Sequence, residues 1–311
     1  MAMFSFCSPE LNTDLKFREA SSDLLNDFLV NLNNRNKDNL NRLSKYSGEF
    51  KNQRLMEFIF LITQELKLDP LAGYHAVELL QRFMVRYLRD LLSTPSPEGA
   101  DDAEPGSCED AVFDKLKDKF HLIVFSCVQL ASKLLLHSHI INNNTAVGFL
   151  HSVGHTVSKQ SLLESELMVL KGLEFRLNAP NPLTYVEILL EVLGHNEPSI
   201  SVERLHPLCR DVLQFVSLQR SEVYHSLLVT TIRCASPTPE QREKFVAVTE
   251  DYMLLGVSVI AVATFILHVT NWQQVVGELS HITGISTRSI SDFTHVALTH
   301  IVKTSSSATT V

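Results

Sequence analysis

Two stretches of this chain are apolar around the whole circumference of a helix. One is Phe120–Leu136, which reads FHLIVFSCVQLASKLLL. The other is Met253–Leu267, set in a longer span, Tyr252–Gly277, that carries no formal charge. A helix with one apolar stripe rests on a surface, but a helix apolar on all sides must be enclosed on all sides. Each run therefore predicts a central helix with others packed around it. Met253–Leu267 is shorter than the roughly 20 residues a membrane span needs. Asp251, His268 and Asn271 lie at its ends. The expectation is a buried core helix and no membrane partner.

The rest of the chain supports an all-α fold. Eleven glycines and eleven prolines in 311 residues are about 7% of the chain, against about 12% in ordinary usage. Few punctuators and 45% hydrophobic residues favour long helices over a turn-rich β fold. Residues 21–44 predict a helix with Leu24, Leu25, Phe28 and Leu32 on one face. Lys51–Lys67 places Leu55, Phe58, Ile59, Ile62 and Leu66 at amphipathic spacing and is expected to end at Asp69-Pro70. Leu71–Leu92 aligns Val77, Leu80, Met84 and Leu88. The segment 93–110, with three prolines and six acidic residues, reads as a solvated, flexible loop. Helices follow at Phe113–Leu136, Thr145–Val153 and Ser158–Phe175, the last with Leu163, Leu167, Leu170 and Leu173 as its core stripe.

Asn178-Ala-Pro-Asn-Pro182 is the strongest stop signal and the expected domain boundary. Beyond it, helices are expected near 183–193, 202–219 and 222–233. After the acid-and-proline stretch Ser236–Glu240 comes a long helix at about 241–268, then helices near 271–282 and 286–302. This divides the chain into a partly disordered segment 1–45, a helical domain 46–180, a second helical domain 181–303 and a disordered tail 304–311. The start of the chain has no basic region followed by an apolar run, so no signal peptide is expected.

The chemistry on offer is sparse. No GxxxxGK[ST], GxGxxG, GxSxG or HExxH occurs. A net charge of −8 argues against direct nucleic-acid binding, which depends on neutralising phosphates. Five cysteines without a CxxC read as reduced thiols. Among thirteen histidines, His137 and His139 are close, and His151 and His155 share a helical face. Zinc wants three or four converging ligands, so neither pair predicts a metal, and no cofactor is expected. Thr94-Pro95 and Ser96-Pro97 are minimal targets for proline-directed kinases. Lys133 is the one charge set into the end of the first all-apolar run.

Three blocks carry a resemblance. Leu55–Met84, CVQLASK at 127–133 and ELMVLKGLEFRLNAPNPLTYV at 166–186 resemble the cyclin box, and the likeness runs over about 50–303. It implies two cyclin-like helical repeats of about five helices each and a regulatory protein that is not an enzyme. In cyclins a Lys ending the third helix and a Glu on the fifth hold the kinase's regulatory helix. By motif these are Lys133 and Glu166. The family's substrate-docking patch on its first helix corresponds to Lys51, Arg54, Leu55 and Phe58. The family's Arg–Asp pair becomes Asn52 and Gln81, losing both charges together, and the acidic pair after the Lys becomes Leu134-Leu135-Leu136. The narrower likeness implies promotion of crossover maturation in meiotic recombination with a cyclin-dependent kinase. It implies the nucleus, at meiotic chromosomes, and the cytoplasm as compartments. Two alternatives stand beside it. One is a kinase-independent scaffold for recombination or ubiquitin-ligase factors. The other is an ordinary cell-cycle cyclin.

Overall fold

A computed structural model describes residues 17–44, 46–93, 106–135, 141–267 and 271–308. Among these residues there are thirteen helices and no strand, so the fold is all-α and cyclin-like. The chain divides into two compact units, one of Tyr46–Ala179 and one of Met1–Lys45 with Pro180–Val311. Thr94, Ser96, His137 and His139 lie outside the described residues.

The unit Tyr46–Ala179 holds α2 (Gln53–Glu65), α3 (Pro70–Ser93), α4 (Gly106–Leu134), α5 (Asn143–Ser152) and α6 (Lys159–Gly172). The first residues of α4 fall within the stretch 93–110 that reads as a loop, so that segment is shorter than its composition suggests. Helix α4 is the centre, with α2, α3 and α6 against it. Every residue from Ile123 to Ser132 is buried. Small side chains allow the close approach: Ala131 is fully enclosed, and the Ser126 hydroxyl donates to Ser165 Oγ on α6 at 2.9 Å. Helix α2 starts where the Asn52 side chain accepts from the Leu55 amide. It stops before Asp69-Pro70, at Lys67, whose left-handed φ of 52° lets the Leu68 amide bond back to the Thr63 carbonyl at 2.9 Å. Asp69 instead opens α3, accepting from the Leu71 amide at 2.8 Å.

The leucine stripe of α6 is rotated from expectation. Leu162, Ser165, Glu166, Val169 and Leu173 face the interior, while Leu163 and Leu167 are exposed.

The other unit holds α1 (Ser22–Asn41), α7 (Pro182–Asn196), α8 (Val202–Leu218), α9 (Arg220–Ile232), α10 (Pro239–Thr249), α11 (Tyr252–Leu267), α12 (Trp272–Thr283) and α13 (Thr287–Ala308). Helix α11 is enclosed by α1, α7, α8, α12 and α13. Among the described residues no single helix is long and apolar enough to cross a membrane. The expected long helix at 241–268 is two helices, α10 and α11, bent by 73°. Asp251 makes the break by accepting from the Met253 and Leu254 amides, each at 3.0 Å. Helix α1 locks it. Asn36 donates to Asp251 Oδ1 at 2.9 Å and accepts from the Tyr252 amide at 3.0 Å, and Asn39 donates to the Glu250 carbonyl at 3.0 Å. Arg220 closes the other side, donating to the Thr249 carbonyl and to Glu250 Oε1.

The face of α1 also differs from expectation, with Leu25 and Leu32 buried and Leu24 and Phe28 exposed. The last helix runs past the expected end near 302. α13 continues to Ala308, and Thr304, Ser305 and Ser306 each donate to the carbonyl four residues back.

Candidate functional site

Lys133 sits in the last turn of α4, where a cation meets the helix's free carbonyls favourably. Glu166 projects from the middle of α6. Because α4 and α6 approach closely at the Ser126–Ser165 bond, Lys133, two turns beyond Ser126, can bring its Nζ onto Oε1 of Glu166, the residue next to Ser165. The two partners are not equally wet. The Lys133 side chain is 37% exposed and the Glu166 side chain 11%. Glu166 Oε2 is buried and makes no hydrogen bond. A buried acceptor without a donor costs free energy that any supplied N–H would recover. The same two helices carry apolar side chains that no core covers: Leu134 next to the lysine in sequence, Leu163 and Leu167 on the helix of the glutamate, and Phe175, 65% exposed, just past that helix. Glu174 and Phe175 both have left-handed φ, 52° and 57°, a turn that keeps Phe175 out of the core. The site thus offers an ammonium donor, an acceptor lacking its second donor, and an apolar border.

The docking patch is not brought to the surface as expected. Lys51 and Leu55 are buried, and of the four residues only Arg54 and Phe58 reach solvent. Lys51 points inward because its ammonium pairs with Glu78 of α3 at 2.8 Å, with side-chain exposures of 4% and 8%. The charge pair expected to be lost at Asn52 and Gln81 is thus present one residue earlier and one turn back along α3. Gln81 serves the loop instead, accepting from the Phe50 amide and donating to the Tyr46 carbonyl, each at 2.9 Å. Glu78 was the residue missed. Its signal is a lone carboxylate inside the buried run Ala76–Leu80.

Phe58 packs edge-on to His121 at 6.0 Å, and His121 lies 4.4 Å from His155. Burial, and then the neighbouring His155, push the His121 pKa down. Among the described residues no three ligand-type side chains converge on a metal position. Cys127 and Cys209 are buried free thiols whose pKa is pushed up by desolvation, and Cys234 is exposed.

No family model matches the chain. Cyclin N-terminal domain-containing protein 1 of Homo sapiens is 40% identical over 287 residues, covering 92% of this chain and 87% of that protein. The Mus musculus protein of the same name is 39% identical over 291 residues, covering 93% and 87%. Cyclin-J of Xenopus laevis is 25% identical over 162 residues, half of this chain and 35% of that protein. Matched over nearly its whole length to relatives at this identity, the chain belongs to the cyclin N-terminal domain-containing protein 1 family.

Proposed function

We propose that this protein is a non-catalytic regulatory subunit that binds a cyclin-dependent kinase through Lys133 and Glu166, and that it acts in the nucleus to promote crossover maturation in meiotic recombination. In this reading the two helical units are two cyclin-type repeats, and Tyr46–Ala179 is the one that receives the kinase. The observation that carries it is the Glu166 carboxylate, held by Lys133 on one oxygen and lacking a donor on the other. A helix arriving at this surface supplies both complements. Where that helix begins, its free N–H groups meet the Glu166 carboxylate once it turns outward, a main-chain carbonyl just before the helix accepts from Lys133, and its apolar side chains cover Leu134, Leu163, Leu167 and Phe175. The meiotic role rests on family membership.

The test is capture of partners from meiotic tissue with the wild-type chain and with the double variant Lys133→Glu, Glu166→Ala. Truncating a buried charged hydrogen-bonding partner typically costs about 2–5 kcal/mol of binding, a loss of roughly thirtyfold or more, so the variant should lose the kinase. Full retention by a folded variant moves the weight to a kinase-independent scaffold. Kinase capture from dividing somatic cells at equal yield moves it to a general cell-cycle role.

A further inference from the structure

We propose that Thr238 is a phosphoacceptor for a proline-directed Ser/Thr kinase. The segment between α9 and α10 holds two Ser/Thr-Pro dipeptides in succession, Ser236-Pro237-Thr238-Pro239. Such kinases read the proline that follows the acceptor, so hydroxyl and ring must both be reachable. The structure separates the two dipeptides on that criterion. Ser236 is exposed but Pro237 is buried, whereas Thr238 and Pro239 are both exposed. Thr238 is also extended, with φ −71° and ψ 158°, the form a chain takes when laid along a cleft.

The turn that must loosen for Thr238 to enter a kinase is weakly held. Helix α10 buries a single side chain, Phe245, and few buried contacts make local opening easy. Its first turn is secured by the Thr238–Gln241 capping box and by Arg242, whose Nε donates to the Pro237 carbonyl at 3.4 Å. In the transfer, Thr238 Oγ attacks the γ-phosphorus of ATP. The Oγ–P bond forms as the bond from that phosphorus to its bridging oxygen breaks. ADP leaves with the electron pair, and the hydroxyl proton passes to the kinase's carboxylate base.

The groups that receive the phosphate are already around Thr238. Its Oγ1 accepts from the Gln241 amide at 3.2 Å, and the Arg242 guanidinium lies against the preceding residue. Glu240 is the opposing acid in that turn. A dianion there replaces a neutral cap with a charged one.

The experiment incubates the full chain with a recombinant mitogen-activated protein kinase and ATP and maps phosphopeptides by mass spectrometry. Phosphate is expected on Thr238, unchanged in Ser236→Ala and at least tenfold slower in Pro239→Ala, which keeps the hydroxyl and the cap. Circular dichroism of each variant keeps a folding defect from passing as lost recognition, and the peptide 234–244 repeats the proline comparison without the fold. Label on Ser236, Thr94 or Ser96 with none on Thr238, no label at all, or an unchanged rate in Pro239→Ala overturns the assignment. Amide exchange over 240–242 should slow about two- to fivefold on phosphorylation. Unchanged exchange overturns the docking of the phosphate at that turn.

Discussion

The run Ile123–Ser132 of α4 and helix α11 are both enclosed, yet they are fixed in place by different physics. Along α4, polar side chains reach other helices in sequence: Ser126 to Ser165, Gln129 to Asn143 at 3.3 Å, and Lys133 to Glu166. Along α11 the Thr264 hydroxyl only donates to its own Ile260 carbonyl at 2.8 Å. Beyond its first residue, whose amide donates to Asn36, its position is set by shape, with Gly256 allowing Leu189 and Tyr185 of α7 to come close. Hydrogen bonds are directional and apolar contact is not. A helix pinned at three polar points along one side holds a charged pair at a defined place on a surface. A helix pinned by fit makes a core and nothing more.

The comparison can be broken most forcefully at the buried charges. Lys51→Met leaves Glu78 enclosed without its cation and should cost about 3–5 kcal/mol. The double variant Lys51→Met, Glu78→Leu should recover most of that. Chemical denaturation of both variants checks it, and a double variant as unstable as the single one would mean that the pair is needed for more than mutual neutralisation. Next come the close approaches around α4. Ala131→Leu should cost about 1–3 kcal/mol by overpacking. So should Gly172→Ala, whose new methyl would stand 2.5 Å from the enclosed Phe83 ring. In the other unit the methyl of Gly256→Ala overlaps the Leu189 Cδ1 end, at 2.8 Å, which can swing aside, and meets Tyr185 Cβ at an ordinary contact distance of 3.5 Å. A cost below about 1 kcal/mol is expected there, and equal melting shifts for the two glycine variants would erase the contrast.

The smallest effect concerns pH. Burial holds the His75 pKa below its ordinary 6.5, against the raising influence of its bond to the Leu177 carbonyl at 3.0 Å. The folded form therefore takes a proton later than the unfolded chain. The contribution is full above about 6.5 and is lost as pH falls below it. Denaturation midpoints from pH 7.5 to 5.5 should fall, and His75→Gln should flatten that slope.

Much of the fold was legible because full-circumference apolarity has a single structural solution. The missed details share a different cause. In α6 the leucines and valine populate two adjacent faces, and only the packing of α4 decides that Leu162 and Val169 go in while Leu163 and Leu167 stay out. The break before α11 carries no proline or glycine; Asp251 caps it, and the Asn36 that locks that cap is 215 residues away in sequence. Prolines marked beginnings more than endings. Pro70 and Pro182 are the first residues of α3 and α7, with Asp69 and Asn181 capping them. At the candidate site, spacing alone made Lys133 unusual, but nothing local tied it to Glu166. Lys51 read as a surface charge because its partner lies on another helix.

The placement of α1 in the unit formed by Pro180–Val311 has a consequence for biosynthesis. Helix α1 leaves the ribosome before Tyr46–Ala179, but the helices it clasps, α7 and α11, are made only after the whole of that unit. At roughly 5–20 residues per second, the synthesis of that intervening unit alone takes on the order of ten seconds. During that time Leu25 and Leu32 have no native surface to cover them. A helix made before that unit thus finds its place only after it. A chaperone that shelters nascent apolar helices would meet this protein at α1.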